Sequence, residues 1–508
     1  MEAQVDQQDR EEKAGATRRD VMVGAAVLGV ASALPSVAQA ALSARDAVEG
    51  LRDPILRISR EVWQAAEVSL DELDSMNIHI HELRAAGFTI EGPGVSGVPT
   101  AFIAEWSQGE GGPKVGYLPE YDALPGLGNA TEPSQTPTAN GNTNGHGCGH
   151  NMLGAGCTGA GMALKAMMEA NGTPGTVRIY GCAAEETQGA KAWFARDGRF
   201  NDLDAAIAWH PATAAAAGNM HLTAVRMAKL QFRGQTAHAG IEPWEGRSAL
   251  DAAELATHAI NMMREHVRPT ARLHYIYEDG GMAPNVVPDT ARVWVVVREA
   301  DNASVQALAE WVLEAAEGAA QATQTESESF IFTGFAEVFP NEPLARRYLK
   351  YMNEEGLDWT EEEQEFARAC QRAGGVAETG LATEVMPFIN EARIGGSSDV
   401  GDVCYNAPTA LFVWPTYAQG FALHTWPVTA AGGMSIGDKA SISTAKIMAA
   451  TGFDVMTDAD FRAEIRTEFD RRMEGKEYVN AIPPEMTEPI DIPDRIRKTG
   501  QDEVDQAI

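Results

Sequence analysis

A glycine-rich turn constrains this chain more than any other stretch of its sequence. The residues Gly145-His-Gly-Cys-Gly-His-Asn151 place a thiol at Cys148 and an imidazole at His150, two positions apart. In extended backbone, side chains two positions apart point to the same side, so the two groups can converge on one point. A thiolate and a neutral imidazole suit zinc, cobalt or a similar divalent ion, and glycine allows the tight turn that encloses one. The stretch therefore predicts a metal site, and the alternative interpretation is a flexible loop that carries these residues by chance.

Length, charge and cysteine content limit the classes of protein to which the chain can belong. Its 508 residues are enough for two or three domains, each with its own core. The formal net charge of -32 opposes binding to nucleic acid and to anionic membranes, because both are negatively charged. The five cysteines are odd in number and widely spaced, which makes a poor disulfide framework and leaves Cys148 free to bind an ion.

The first 40 residues resemble a twin-arginine export signal. Arg18 and Arg19 precede an apolar run rich in glycine and alanine, Val21–Leu34, and Ala38-Gln-Ala40 offers a small-residue cleavage site. The alternative is a membrane anchor, but the run is too short and too rich in glycine to span a bilayer well. We therefore expect a mature protein that begins near Ala41, lies in the periplasm or outside the cell, and is not attached to a membrane.

Short apolar runs alternate with helical patterns along the rest of the chain. A long helix is predicted over Met152–Ala170, and Gly172 ends it. Strands that alternate with helices favour a mostly parallel sheet covered on both faces, which places the chain in the α/β class. The runs predicted as strands are Thr100–Glu105, Lys114–Leu118, Val177–Ala183, Ala205–Trp209 and Ala410–Trp414.

Side chains able to bind a metal or to act as a base follow four of these predicted strands. In chain order they are Asp122, then the pair Glu185 and Glu186, then His210, and finally His424 in the loop after the last strand. In open α/β sheets, ligands bind at the carboxyl ends of the strands. Four separate elements therefore deliver donors to one edge of the sheet.

A different pattern interrupts this arrangement between residues 224 and 336. The order of strands and helices there is βαββαβ, which is typical of a ferredoxin-like sandwich. In Arg292–Arg298, for example, valines at every second position indicate a half-buried strand. We therefore divide the chain into an export signal (1–40), a catalytic domain in two parts (41–223 and 337–452), an inserted domain (224–336), and a C-terminal helix with an extended tail (453–508).

Six short motifs follow one another along the chain: Gly116–Gly126, Gly145–Asn151, Ala184–Glu186, Trp209–Pro211, Gly234–Gly240 and Gly396–Asp402. Together they resemble the M20 metallopeptidases and amidohydrolases. The Cys-Gly-His turn is similar to the branch that holds aminobenzoyl-glutamate hydrolases and auxin-conjugate amidohydrolases, and residues 120–126 and 401–402 are most similar to the first of these groups. The resemblance implies a two-metal catalytic domain with an inserted lid domain through which two chains form a homodimer.

The resemblance also implies a role for each residue of the predicted metal site. Two divalent ions, Mn²⁺ or Zn²⁺, would share five protein ligands, with water completing the coordination. The implied ligands are Cys148, His150, Glu186, His210 and His424.

Two acidic residues are given roles beside the ligands. Glu185 would be the general base that takes a proton from the attacking water and returns it to the leaving amine, and Asp122 would orient a ligand. Many relatives have a metal-binding histidine two residues before this aspartate, where the chain has Glu120, but the Cys-Gly-His branch commonly lacks that histidine. The alternatives are that the paired glutamates begin a solvated helix, that His210 merely ends a strand and that His424 is a core residue.

Three residues of the inserted domain complete the implied site. His238 would cross the dimer interface and stabilise the tetrahedral oxyanion. Asn285 and Arg247 would contact the substrate, and the alternative for Arg247 is a residue at a helix start without such a role. His146 is not expected to bind a metal, and the remaining histidines, His274 among them, are expected on the surface or on helix faces.

These expectations describe a metal-dependent hydrolase of amide bonds. The resemblance implies an aromatic acyl group joined to an amino acid such as glutamate, and the alternatives are a dipeptidase or a general N-acyl amino acid or auxin-conjugate hydrolase. A binding protein that kept the fold without the chemistry is disfavoured because Glu185 is retained with all five ligands. A thiol hydrolase is disfavoured because Cys148 and His150 point at a third object more readily than at each other.

Overall fold

The computed structural model describes residues 42–496, so the predicted export signal over residues 1–40 lies outside the described part of the chain. Within this range most residues belong to strands or helices. The strands are β1 (Thr89–Glu91), β2 (Phe102–Gln108), β3 (Lys114–Tyr117), β4 (Gly175–Gly181), β5 (Ala205–Ala212), β6 (Ala216–Leu222), β7 (Ala224–Arg233), β8 (Arg272–Asp279), β9 (Thr290–Glu299), β10 (Glu326–Ser327), β11 (Phe330–Phe335), β12 (Ile389–Ile394) and β13 (Thr409–Pro415).

The helices lie mainly between these strands and at the two ends of the described range. They are α1 (Ala44–Gly50), α2 (Arg52–Ala65), α3 (Leu73–Ala85), α4 (His150–Asn171), α5 (Ala190–Arg196), α6 (Ala249–Met263), α7 (Asn302–Thr323), α8 (Glu342–Glu355), α9 (Glu361–Gly374), α10 (Val400–Cys404), α11 (Trp426–Gly432), α12 (Ser435–Thr457) and α13 (Ala459–Met473). Among residues 42–496, none of the helices combines the length and the apolar character that crossing a membrane requires.

An eight-stranded sheet forms the centre of the larger part of the molecule. Its strand order is β1-β2-β4-β3-β5-β13-β6-β12, and four of its seven pairings are parallel. The four neighbours β4, β3, β5 and β13 all run in one direction, so their carboxyl ends meet at a single edge. This edge is where the polar motifs of the sequence were expected to converge.

Helix α4 explains how the turn at Cys148 is anchored to this sheet. The helix is buried along most of its length and packs against α12 and α2, because small residues such as Gly156 and Gly159 allow close approach. It ends at Gly172, whose φ of +63° is the left-handed conformation that glycine adopts readily. The turn that carries Cys148 therefore leads directly into a deeply buried helix.

The inserted region forms a second sheet with its own hydrophobic core. Strands β7, β9 and β8 pair in antiparallel fashion, and α6 and α7 cover one face. The last strand of the predicted pattern is divided into β10 and β11, and both pair with β7. The prediction of an α/β protein with a mostly parallel sheet and an inserted βαββαβ unit is confirmed.

Several details differ from the predictions. Strands β6 and β12 were not predicted; β12 lies at the edge of the large sheet and is mostly exposed, so it carries no continuous apolar run. Strand β5 continues to Ala212, so His210 lies inside the strand rather than after it. Helix α12 reaches Thr457, and α13 follows it before the extended tail begins.

Candidate metal centre

The carboxyl edge of the four parallel strands brings six predicted residues together. Glu185 and Glu186 occupy the turn after β4, His210 lies near the end of β5, and His424 follows β13. Cys148 belongs to the turn before α4, and His150 is the first residue of that helix. All six lie within the overlapping groups of metal-binding side chains that the structure forms at this edge.

The turn achieves its convergence in a different way from the one predicted. The backbone turns at Gly147 and Cys148 instead of being extended, and Gly149 has a φ of +76°. A side chain on Gly145 would collide with the carbonyl oxygen of Leu127, so the loop needs glycine there for close packing. Cys148 and His150 therefore meet because the chain turns sharply and not because they share one side of a strand.

Cys148 is common to two groups of donors. It stands with His150 and His210 in one group and with Glu186 and His424 in the other, and the ligand atoms in each group lie within 4.8 Å of one another. This arrangement would divide the five predicted ligands between two adjacent ion sites that share Cys148.

The separations between donor atoms match those around a tetrahedral ion. Bond lengths of about 2.0–2.1 Å place two nitrogen or oxygen donors roughly 3.3 Å apart, and a nitrogen and a sulfur donor roughly 3.6 Å apart. In the structure, His210 Nε2 lies 3.6 Å from Cys148 Sγ, and His424 Nε2 lies 3.4 Å from Glu186 Oε1. These two pairs of donors therefore have separations that fit shared coordination of an ion.

The rings of His150 and His210 are each held through Nδ1, which leaves Nε2 free to face the site. His150 Nδ1 lies 2.8 Å from Asp122 Oδ1, and since a carboxylate only accepts, the Nδ1–H donates and Nε2 faces the site. His210 Nδ1 likewise donates to the carbonyl oxygen of Pro211 at 2.9 Å. Asp122 also accepts hydrogen bonds from Ser69 Oγ and from the backbone N–H of Glu186. Asp122 thus positions two predicted ligands at once.

Burial and charge at this edge fit a divalent cation. The atoms His150 Nε2, Glu120 Oε2 and Glu186 Oε1 are buried and have no hydrogen-bond partner among the described residues. Burial raises the pKa of Glu185 well above its usual range, and the charges of Glu120 and Glu186 raise it further. A cation among these groups would offset both the desolvation and the mutual repulsion, so the residues present fit the predicted metal.

Two residues at the site have strained backbone. Ala184, directly before the paired glutamates, has a φ of +55°, and His424 has a φ of +62°. Both angles are unusual for residues with a side chain, and such strain persists where surrounding contacts enforce it. The buried Glu72 accepts the backbone N–H of Ala184 at 2.7 Å, and the His424 N–H donates to the carbonyl of Gly147 at 2.8 Å. The His424 side chain is half exposed, which contradicts the alternative of a core histidine.

The donors line a cavity of about 700 Å³ that the inserted domain helps to close. Arg298 from β9 and Arg272 and His274 from β8 contribute to its wall, and Arg298 Nη1 donates to Ser397 Oγ at 2.6 Å. The sequence pattern did not indicate any of the three, because it shows them only as polar residues of half-buried strands. His274 is exposed, as expected, but it also lines this cavity.

The other residues predicted in the inserted domain do not line this cavity. His238 is exposed and lies beside Asn285, where the backbone N–H of Ala239 donates to the Asn285 carbonyl. Arg247 donates to Gln324 Oε1 and to the carbonyl oxygens of Trp244 and Gly246, so its guanidinium is engaged within the domain. These bonds favour the alternative in which Arg247 is a residue near a helix start that does not contact the substrate.

The remaining loop histidine behaves as expected. His146 is buried and its Nε2 lies 2.9 Å from the carbonyl of Val62, on the side of the turn that faces α2. His79, which was expected on a surface or helix face, lies on α3 but is fully buried against Thr158 and Tyr121.

Comparison with known proteins identifies relatives of this chain. Residues 222–323 match the family model of the peptidase dimerisation domain. A subunit of the p-aminobenzoyl-glutamate hydrolase of Escherichia coli strain K12 is 35% identical over 470 residues, which cover 87% of this chain and 97% of that protein. The Xaa-Arg dipeptidase of Mus musculus is 29% identical over 88% of this chain and 96% of its own length.

The fold is also found among solved structures. A Bacillus subtilis protein, described as a dinuclear metal-binding peptidase from the M20 family, superposes with a TM-score of 0.52 at 18% identity, covering 80% of this chain and 99% of its own. At this identity the likeness concerns the fold alone.

Proposed function

The chain belongs to the M20 family of metal-dependent peptidases and amidohydrolases, and on this basis we propose that it hydrolyses the amide bond of N-acyl amino acids. The observation that carries the proposal is the cluster of Cys148, His150, Glu186, His210 and His424, with the buried carboxyl of Glu185 beside His150. Two divalent ions bound there would act as Lewis acids on the amide carbonyl and would make the attacking water more acidic.

Glu185 is suited to move the proton. Its Oε2 lies 3.9 Å from His150 Nε2, and it is not among the five implied ligands. Its buried position raises its pKa, so it accepts a proton from water and can deliver that proton to the departing nitrogen. Asp122 keeps His150 and the turn at Glu186 in place while this happens.

The cavity wall supports a substrate that carries a carboxylate. Arg298 and Arg272 place positive charge beside the site, where a guanidinium can pair with a carboxylate group. The apolar side chains of Met220, Leu222 and Leu411 offer a surface for an acyl group. Because the Escherichia coli relative is named for p-aminobenzoyl-glutamate, we propose an aromatic acyl-glutamate or a similar conjugate as the substrate.

A dipeptidase is the second candidate, since the Mus musculus relative is named as one. The arginines of the cavity distinguish an acyl-glutamate from a dipeptide with a basic side chain. A positively charged amino acid side chain near Arg272 and Arg298 would be repelled. An acidic or neutral amino acid is therefore the better substrate on electrostatic grounds.

We further propose that two chains form a homodimer through the inserted domain. Several large apolar side chains of this domain are exposed, which favours an interface there. They include Trp244, Met262 and Ile276, with exposed fractions of 66%, 62% and 58%. Size-exclusion chromatography with light scattering tests this: a dimer supports it and a monomer contradicts it. The Escherichia coli relative is described as one subunit of its enzyme, so co-purification of a different chain is a further outcome, which would replace the homodimer by a mixed complex.

Export through the twin-arginine pathway is proposed from the sequence of residues 1–40. Fractionation of producing cells tests it, with the protein expected in the periplasm or medium and, after substitution of Arg18 and Arg19 by lysine, in the cytoplasm. An unchanged distribution of the substituted protein would contradict this route.

The test of the reaction combines metal content with activity. The purified protein is assayed against p-aminobenzoyl-glutamate, other N-acyl amino acids and dipeptides, with and without chelator and with added Mn²⁺ or Zn²⁺. About two ions per chain and chelator-sensitive release of an amino acid are expected. Absence of bound metal would contradict the proposal. Amide hydrolysis at full rate in strong chelator that stops after thiol alkylation would also contradict it.

A further inference from the structure

We propose that Glu120 is an additional metal ligand in this chain and that Lys191 and Asp399 position it. The inference rests on the proposed function, because it concerns the ion that His150 would bind; the group of Cys148, His150 and His210 is called the first ion site below. Glu120 does not belong to the implied set of five ligands, and its position is the one at which many relatives have a histidine.

The position of Glu120 carries the first part of the argument. Its side chain is 3% exposed and lines the cavity, and its Oε2 lies 3.2 Å from His150 Nε2. That separation is close to the roughly 3.3 Å expected for two donors on one tetrahedral ion. Both atoms are buried and have no hydrogen-bond partner among the described residues.

The hydrogen bonding of His150 shows which of its nitrogens can reach an ion. Its Nδ1–H donates to Asp122, so Nε2 is the nitrogen that faces the carboxylate oxygen of Glu120. The two atoms lie 3.2 Å apart without the geometry of a hydrogen bond, and a shared cation would bind both.

A further donor stands beside this pair of atoms. Glu120, His150 and Glu185 form a group whose ligand atoms lie within 4.8 Å of one another, and the group shares His150 with the first ion site. An ion held by His150 therefore lies within reach of a carboxylate oxygen of Glu120.

The other carboxylate oxygen of Glu120 is fixed from behind. Lys191 Nζ lies 2.7 Å from Glu120 Oε1 and 2.5 Å from Asp399 Oδ1, and the backbone N–H of Lys191 donates to Asp399 Oδ2. All three side chains are almost fully buried. Lys191 therefore binds one oxygen of Glu120 and leaves the other directed at the ion site, as a positioned carboxylate ligand requires.

The competing interpretation is that Glu120 only balances the charge of Lys191. Asp399 already pairs with Lys191 through both of its oxygens, so the ammonium keeps a buried partner without Glu120. Balance of the Lys191 charge therefore does not account for the oxygen of Glu120 that faces His150.

The experiment measures metal binding directly in the full-length protein. Apo-protein is titrated with Co²⁺, following the visible absorption of the thiolate-bound ion, and ion affinities are determined by competition with a chelator. For Glu120→Gln we expect the affinity of the tighter ion to fall at least tenfold and its absorption spectrum to change, because a charged donor is lost. Unchanged affinity and spectrum would overturn the inference.

A double variant separates a ligand from a counter-charge. In Glu120→Gln with Lys191→Met both buried charges of the pair are gone, so a protein that needed only balance would recover the affinity of the parent. A ligand role predicts that the double variant stays as weak as Glu120→Gln, and recovery would overturn the inference. If Glu120→Gln alone fails to fold, the double variant is compared with the parent instead, and affinity equal to that of the parent overturns the inference.

Glu363→Gln is the matched control. Glu363 is a buried glutamate whose Oε2 lies 2.7 Å from Lys439 Nζ, in a helix cap away from the site, and we expect its substitution to leave Co²⁺ binding unchanged. The parent protein keeps the two proposals apart. If it binds no ion, the proposed function fails together with this inference; if it binds two ions and Glu120→Gln binds them equally well, only the inference fails.

Discussion

The metal centre and the inserted domain meet at one cavity but are built in opposite ways. At the metal centre the polar atoms are buried, the backbone is strained at Ala184 and His424, and several donors face one another within ion-binding distance. In the inserted domain the strands β7 and β9 pair regularly over ten residues, and the residues of interest, His238 and Asn285, are exposed.

This difference shows where each part of the chemistry is held. The metal centre is preorganised because hydrogen bonds to Asp122, Glu72 and Gly147 fix the ligand-bearing segments from outside the site. The inserted domain presents His238 and Asn285 outwards, so they can act only on something that approaches that surface. Catalysis is therefore proposed to combine a preorganised centre in one chain with a group brought by another.

The largest effect is expected within the metal centre itself. Glu185→Gln removes the proton acceptor, so turnover should fall by about 10²- to 10⁴-fold while the metal content stays at the parent level. Rates are measured on the best N-acyl amino acid and metal content by mass spectrometry. The neighbouring change Glu186→Gln serves as the control, because it should cost bound metal; amide hydrolysis at the parent rate by Glu185→Gln would refute the assignment of the base.

A mixed dimer tests whether the inserted domain acts on its own chain or on its partner. His238→Ala should lower turnover by roughly 10²- to 10³-fold if the imidazole stabilises the oxyanion. Mixing the His238→Ala and Glu185→Gln proteins should restore activity. In the mixed dimer, the site of the His238→Ala chain keeps its own Glu185 and receives an intact His238 from the other chain. Activity that stays absent in verified mixed dimers would place His238 at its own chain's site.

Metal removal should affect the two regions unequally. Saturation at 100 times the dissociation constant stabilises a protein by about 2.7 kcal/mol for each ion, and chelation should lower the free energy of unfolding accordingly. Hydrogen exchange is expected to rise in the turns around Cys148 and Glu185, where donors lose their common partner. Exchange in β7 and β9 serves as the internal control, and an equal increase there would contradict the independence of the two regions.

The sequence predicted most of the metal centre because its residues stand at strand ends. Asp122, Glu185 and Glu186 follow buried apolar runs, and parallel strands bring such positions to one edge whatever the exact strand limits are. The conformation of the turn at Cys148 was not predictable in the same way. It depends on the packing of its glycines against Leu127, in the loop after β3, and against His424, in the loop after β13.

The arginines in the wall of the cavity were harder to predict than the metal-binding residues. Arg298 and Arg272 lie on the half-exposed face of the second sheet, and a sequence pattern shows only that this face is not in the core. Which of its residues face the metal centre depends on the orientation of one sheet against the other. The same limitation explains why Arg247 was expected at the substrate although its donors are engaged elsewhere.

The smallest effect is expected from substitution of arginines in the inserted domain, where Arg298 and Arg247 should differ in their influence on KM. Arg298→Met should raise KM for an acyl-glutamate roughly 10- to 100-fold, because a hydrogen bond to a charged group is worth about 1.5–3 kcal/mol. Arg247→Met should leave KM near that of the parent, since its guanidinium binds Gln324 and two backbone carbonyls and not the cavity. Both variants are compared on a substrate and on its analogue in which the carboxylates are amidated. If Arg298 binds a carboxylate, the variant and the parent should treat the amidated analogue alike; an equal loss on both compounds would mean that Arg298 acts by holding Ser397 and the cavity wall in place.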